Sequence, residues 1–152
     1  MRFSVLFAFM IVAVSVTASP SAEALDATSE LTLKMDGFRR LDGEEIRSLL
    51  ADRTVHMTYG RDNDETVYFY GADGVRSSMQ TGYRLDRQWT VSRDRLCEEY
   101  LRAFDFACSK VFVKDDVVQL CPEEENICWY VFSGFRLGDV EGLRLLAPLP
   151  AG

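Results

Sequence analysis

The chain is poor in the residues on which most enzymes and metal sites depend. It has a single histidine, His56, so any Ser-His-Asp or Cys-His machinery would need that one side chain. Strict alternation places His56 on a strand face with Thr54 and Thr58, opposite Val55, and this predicts a solvent-facing residue. A phosphate-cradling glycine loop and a nucleotide fingerprint are also missing from the sequence. We therefore predict no catalytic residue, no cofactor and no metal.

Two acidic clusters, residues 62–65 and 123–125, are the only dense groups of oxygen ligands along the chain. The first is similar to the start of a calcium loop, but the glycine at the sixth position and the distant glutamate of that loop are absent. We expect both clusters to be solvated turns between strands.

Long apolar runs are absent except at the N-terminus. Residues 3–16 form one after Arg2, and the small residues Ala22 and Ala24 follow. A run of about 14 residues is too short to span a bilayer, and its flanks are those of a secretory signal. We expect residues 1–24 to be a cleaved signal peptide. The mature protein would then have no membrane span and would be periplasmic or secreted.

Positive charge is scarce, with 17 lysines and arginines against 24 acidic residues and a net charge of −7. Such a domain lacks the electrostatic footprint of a nucleic-acid binder. The arginines concentrate near two aromatic residues, and guanidinium groups beside aromatic faces suit anionic sugars or carboxylates. The alternative is that these arginines pair with Asp86, Asp94 and other acids. The predicted ligand-binding residues are Tyr83, Arg84, Arg87 and Trp89.

The cysteines lie close together in sequence, at Cys97, Cys108, Cys121 and Cys128. An even number in an exported chain predicts two disulfides, whereas a zinc site needs close pairs such as C-x-x-C. Four cysteines allow three pairings. A hairpin with its turn at residues 114–115 places Cys108 opposite Cys121, which leaves Cys97 to pair with Cys128. A three-residue turn would change this register.

The remaining patterning predicts one short helix and then strands. Asp42 and Glu45 form a capping-box pattern ahead of an apolar stripe, which predicts a helix over residues 43–51. Asp73-Gly74 predicts a hairpin. In the hairpin near residue 115, Val111, Val113, Val118 and Leu120 share one face and Lys110 and Gln119 the other. The β-prone runs are residues 54–59, 66–70, 75–79, 88–92, 96–97, 109–113, 117–120, 127–132, 135–137 and 143–147.

These elements predict a mainly β fold, a small antiparallel barrel or strongly curved sheet with one short N-terminal helix and disulfide staples. We expect residues 25–40 to be a flexible lead-in. Residues 41–148 would form a single β-rich domain and residues 149–152 a tail.

Several short motifs lie within residues 41–132: Leu41-x-Gly43-x-Glu45, Thr54-Val55, Tyr68-Phe69, Asp73-Gly74-Val75, Trp89-x-Val91, Leu96-Cys97 and Cys128-Trp129-Tyr130. This set resembles an uncharacterised family of small exported alphaproteobacterial proteins, domain of unknown function 995. The resemblance implies an exported β-rich domain with a cysteine pair at Cys97 and Cys128, and it implies no reaction. The cysteine-bearing insert at residues 98–121 departs from the family pattern.

We therefore expect an exported, non-enzymatic binding or interaction module of the periplasm or cell envelope. Its barrel mouth or its arginine–aromatic residues would bind a glycan, a lipid-like ligand or an envelope protein. One alternative is an inhibitor of a cationic hydrolase such as lysozyme, with a protruding loop at residues 123–126. Another is a carboxylate-dependent hydrolase, which needs two converging carboxylates about 5–10 Å apart. The oligomeric state is left open.

Overall fold

The computed structural model describes residues 28–60, 64–99, 106–123 and 127–150. Within them are the helices Glu30–Met35 (α1) and Gly43–Leu50 (α2) and a 3-10 turn at Leu143–Leu145. The strands are Thr28–Ser29 (β1), Arg39–Arg40 (β2), Arg53–Tyr59 (β3), Asp64–Tyr70 (β4), Val75–Gln80 (β5), Tyr83–Val91 (β6), Leu96–Glu99 (β7), Phe106–Lys114 (β8), Val117–Pro122 (β9), Ile127–Cys128 (β10) and Tyr130–Leu137 (β11).

Strands β3 to β9 and β11 form a closed, eight-stranded antiparallel barrel. Each strand pairs with the next along the chain, and β11 pairs with both β9 and β3, which closes the sheet. Strand β2 pairs with β8 where the shorter β7 has ended. The predicted fold class, a mainly β barrel with a short helix and disulfides, is confirmed.

Helix α2 forms for the reason that the sequence indicates. The Asp42 side chain accepts a hydrogen bond from the Glu45 backbone N–H, and the Glu45 carboxylate accepts one from the Asp42 N–H, at 2.9 and 3.0 Å. These reciprocal bonds satisfy two free donors of the first turn. The Ile46 and Leu50 side chains are fully buried in the barrel core. The helix packs at the end of the barrel where β3 begins.

The turn between β6 and β7 fixes the start of α2. Arg93 and Asp94 both have positive φ, as a tight two-residue hairpin turn requires. The Asp94 carboxylate accepts a hydrogen bond from the Gly43 N–H at 2.8 Å, and Arg47 donates to the Val91 carbonyl at 3.0 Å. The helix is therefore tied to the barrel at both its first and its second turn.

The expectation of a flexible lead-in over residues 25–40 is wrong for its described part, residues 28–40. Strand β1 pairs with β10, α1 follows it, and β2 joins the large sheet. Leu33 in α1 is 1% exposed and packs with Phe112, Cys121 and Cys128. Composition could not reveal this, because the surface that covers Leu33 comes from distant strands. The expected signal peptide, residues 1–24, lies outside the described residues.

Two disulfides are present as predicted, but the predicted pairing is wrong. The bonds join Cys97 to Cys108 and Cys121 to Cys128, rather than Cys108 to Cys121 and Cys97 to Cys128. Cys97 and Cys108 lie directly opposite each other on β7 and β8. The cysteine pair implied by the family resemblance is therefore also absent.

The pairing differs because the turn between β8 and β9 lies one residue later than predicted. Its centre is at Asp115 and Asp116, and Asp115 adopts a φ of 51°. Aspartate tolerates this left-handed conformation better than lysine does. The register then places Lys110, not Cys108, opposite Cys121. The predicted faces are unaffected: the hairpin's valines and Leu120 pack in or against the barrel core.

Other strand predictions hold unevenly. The Asp73-Gly74 hairpin is confirmed, with Gly74 at a φ of 82°. Strand β6 begins five residues before the predicted residue 88, and the run at residues 127–132 is divided between β10 and β11. The strand predicted over residues 143–147 is wrong, because Asp139 accepts hydrogen bonds from two successive backbone N–H groups and the chain forms a 3-10 turn.

The C-terminal segment crosses the outer side of β4, β5 and β6. Arg144 forms a bidentate ion pair with Asp73, at 2.7 and 2.9 Å. Arg84 pairs through its backbone with Ala147 and Leu149. The expected tail over residues 149–152 is thus attached at Leu149. In the described part of the chain, neither helix has the length and apolar character that crossing a bilayer would take.

Candidate ligand site in the barrel

On three strands of the barrel, burial of the inward-facing side chains falls with distance from α2. On β6, Val91 and Trp89 are each 7% exposed. Further along the same face, Arg87 and Leu85 are half-buried and Tyr83 is 41% exposed. We call the part of the interior that contacts α2 the near half, and the part toward the opposite rim the far half.

Strands β4 and β3 show the same change, whereas on β5 the inward-facing Ser78 is buried. On β4, Tyr70 is fully buried whereas Tyr68 is half-buried, and on β3 Val55 is fully buried whereas Met57 is half-buried. An eight-stranded barrel has an interior just wide enough to be filled by side chains or to hold one small ligand. The near half is filled by side chains, and solvent reaches the inward-facing side chains of the far half.

Three polar side chains meet where the two halves join. Glu98 Oε1 accepts hydrogen bonds from Arg76 Nη1 and from the Tyr70 hydroxyl, each at 2.7 Å. The Arg76 and Glu98 side chains are only 14% and 22% exposed. A charged pair at this depth needs close hydrogen bonds to offset its lost hydration, and both groups have them.

Two aromatic rings complete this cluster. The Arg76 guanidinium lies 4.3 Å from the centre of the Tyr68 ring, within the range of a cation–π contact. The Tyr70 ring packs edge-on against Trp89, with centroids 5.4 Å apart. The charged groups are therefore held by rings that belong to the packed core.

The electrostatics of the cluster follow from burial and from its ion pair. Burial, reinforced by the Glu98 charge, raises the pKa of Tyr70 well above its usual value. Burial also raises the pKa of Tyr68, although the positive charge of Arg76 opposes this. Burial disfavours the charged form of Arg76, but Glu98 and the two tyrosines together outweigh that effect, and the pKa of Arg76 lies above its ordinary value. Both tyrosines therefore stay neutral, and Arg76 stays charged.

A second arginine faces the same interior without a counter-charge. Arg87 lies directly opposite Arg76 in the β5–β6 register, so both side chains lie on the inner face. Among the described residues, Arg87 makes no side-chain hydrogen bond or ion pair. Like charges in directly opposed cross-strand positions destabilise a sheet. An anion bound between them would remove that repulsion.

The four residues predicted to bind a ligand divide between the two faces of β6. Tyr83, Arg87 and Trp89 face inward, and Trp89 donates a hydrogen bond to the Gly71 carbonyl at 3.0 Å. Arg84 faces outward, where it contacts Asp86 at 2.9 Å and holds the C-terminal segment. The strand therefore brings Arg87 to the interior and gives Arg84 a structural contact.

Sequence reasoning missed Arg76, Glu98, Tyr68 and Tyr70 as parts of one site. A signal was available for part of it. The Asp73-Gly74 hairpin pairs Tyr70 with Arg76, so they must share a face. Glu98 could not be placed from sequence, because its position depends on the pairing of β7 with β6.

Other polar candidates lie elsewhere. His56 faces outward as predicted, and its Nε2 lies 3.0 Å from Arg136 Nη2. Within the described ranges, no group of three or more histidines, cysteines or acids could hold a metal ion. The acidic clusters and the loop proposed for a hydrolase inhibitor fall partly on residues 61–63 and 124–126, outside the described residues.

Comparisons with known proteins add no information about this site. The chain matches no family model, no curated protein and no solved structure.

Proposed function

We propose that this protein is an exported, non-enzymatic binding module of the periplasm or cell envelope. Its ligand would be a small molecule that occupies the far half of the barrel. The single observation that carries the proposal is the loss of burial along the interior, from the fully buried Tyr70 to the half-buried Tyr68 and Arg87. Binding sites in barrels combine such partly solvated apolar walls with a few placed polar groups.

The division of the barrel supports binding over a purely structural role. The near half alone supplies a core of twelve buried side chains, with α2 packed into it. The far half adds the exposed Tyr83, the half-buried Leu85 and Arg87, for which the described residues offer no partner, and these contribute little to stability while they face solvent. Such local departures from a well-packed interior are typical of functional sites.

Two features support an exported protein. Both cystines fit an oxidising compartment, since cytosolic proteins rarely keep structural disulfides. The N-terminal sequence has the composition of a secretory signal. A periplasmic location and membership of the resembling alphaproteobacterial family are parts of the same proposal.

The test uses the full chain, exported through its own signal and purified with both disulfides. We expect the neutral apolar dye phenylnaphthylamine to bind saturably, at one dye per chain, and to gain fluorescence. The variant Leu85→Trp places a larger ring in the far half, because Leu85 faces inward there and is half-buried. We expect this variant to lose dye binding.

The matched control is Thr90→Trp, which adds the same ring to the exposed outer face of β6. Circular dichroism checks that both variants fold. The control should bind the dye as the original chain does. Dye binding that is absent from the original chain, or equal in the Leu85→Trp variant, would show that the far half holds no ligand.

A further inference from the structure

We infer that the ligand of the far half is an amphipathic monoanion. Its head group, of the carboxylate class, would bind deep in the barrel between Arg87 and Arg76, and its apolar part would extend toward the rim. This inference rests on the proposed function, because it assumes that the far half holds a ligand.

The charge balance of the interior favours an anion. Arg76 and Arg87 bring two positive charges to directly opposed positions, and Glu98, which already binds Arg76 and Tyr70, supplies one negative charge. Among these three side chains one positive charge is left over. The chain as a whole carries −7, so this local excess is opposite to the general field of the protein. An acidic protein that binds an anion needs such a local site.

Donors are available for the head group. A guanidinium presents its N–H groups in a planar fork that fits a carboxylate. In the described part of the chain, Arg87 has no side-chain partner, and Arg76 Nε is buried without a hydrogen-bond partner. A single anionic group between the two arginines would satisfy unpaired donors of both and separate their like charges.

The walls between Arg87 and the rim combine apolar side chains with Ser78, Thr66 and Gln80. Leu85, Met57 and Tyr68 face the interior there and are half-buried. Four residues of strand, about 13 Å, separate Arg87 from Tyr83 near the rim. A ligand of this length would hold its charge at the inner end and its apolar part along these side chains.

The test measures displacement of phenylnaphthylamine by three molecules that share one tail, each below its micelle-forming concentration. They are dodecanoate, dodecanol and dodecylamine. We expect dodecanoate to displace the dye at a concentration about tenfold or more below that of dodecanol, since a charge-assisted fork is worth at least that factor. Dodecylamine should be the weakest competitor.

Two variants locate the effect. Arg87→Gln should abolish the preference for dodecanoate over dodecanol and leave dodecanol unchanged. Arg93→Gln, the matched control, removes the same charge from an exposed turn beside α2 and should keep the full preference.

The outcomes separate the two proposals. Equal displacement by dodecanoate and dodecanol, or a preference that survives in Arg87→Gln, would overturn the anionic head group and leave the ligand site standing. Dye binding that is absent from the original chain would overturn both.

Discussion

The two halves of the barrel are made from the same strands and yet differ in the burial of their inward-facing side chains. On β6, Trp89 and Val91 are buried in the near half, whereas Leu85 and Arg87 continue the same face half-buried in the far half. The near half is closed by apolar side chains of α2, and the far half carries Arg87, for which the described residues supply no counter-charge. The comparison shows that alternation decides which side chains face the interior, and that the residue types among them decide how completely each half is packed.

Tyr70 joins the halves. Its ring packs with Trp89 and Phe132 in the near half, at centroid distances of 5.4 and 6.0 Å. Its hydroxyl donates to Glu98 at 2.7 Å. Because the packed core holds the Tyr70 ring in place, the Tyr70 hydroxyl also fixes the position of the Glu98 carboxylate.

The largest expected difference in the free energy of unfolding is between a leucine-to-alanine substitution in the near half and one in the far half. Leu96 is 1% exposed in the near half, and Leu96→Ala should lower the free energy of unfolding by about 2–5 kcal/mol. Leu85 is half-buried, and Leu85→Ala should cost about 1 kcal/mol and weaken dye binding. Chemical denaturation measures both. Equal costs would mean that the far half is packed as tightly as the near half.

Removal of the disulfide between Cys121 and Cys128 tests whether contacts on the outer face of the barrel stabilise the far half. Replacing Cys121 and Cys128 together by alanine should cost about 2–3 kcal/mol, because the crosslink constrains the unfolded chain. Leu33 packs on this disulfide, so hydrogen exchange in residues 28–35 should also increase. Dye affinity at low denaturant should not change. Loss of dye binding would show that the structure of the far half depends on the disulfide between Cys121 and Cys128.

The polar cluster can be examined with two matched tyrosines. Tyr70→Phe removes a donor to a charged carboxylate and should cost about 2 kcal/mol. Tyr68→Phe removes a hydroxyl for which the described residues offer no hydrogen bond, and it should cost less than about 0.5 kcal/mol. Denaturant midpoints of the two variants give the comparison. Equal costs would contradict the special role of the Tyr70 hydroxyl.

The smallest expected effect is a change in stability at alkaline pH. Because the pKa of Tyr70 is raised in the folded state, its contribution to stability is complete below about pH 10 and is lost as the pH rises above that value. The stability gap between the original chain and Tyr70→Phe should therefore shrink above about pH 10. Denaturation at a series of pH values measures this gap, and a constant gap would contradict the buried, neutral phenol.

Sequence reasoning succeeded where local chemistry decides the structure. The capping pattern of Asp42 and Glu45 fixes the start of α2, and the glycine after Asp73 fixes a hairpin. It failed at the disulfides, because a shift of the turn by one residue, to Asp115, exchanges the partners of Cys121. Local patterns cannot decide between turns that differ only in which residue adopts a positive φ.

The site was only partly accessible to the same reasoning. Arg87 was selected, but together with Arg84, which alternation places on the opposite face. Arg76 and Glu98 break the apolar pattern of the strands' inner face, so polarity alone suggests that they are solvent-facing. Their true orientation follows only from the pairing of β5 with β6 and of β6 with β7.

The helix packed against one end of the barrel has a kinetic consequence. With Ile46 and Leu50 filling that end, a ligand of the far half would enter and leave at the opposite rim. Substitutions at the rim near Tyr83 would change the association and dissociation rate constants of such a ligand by the same factor. The equilibrium constant would stay the same. Residence time and affinity would then be set by different residues of one strand.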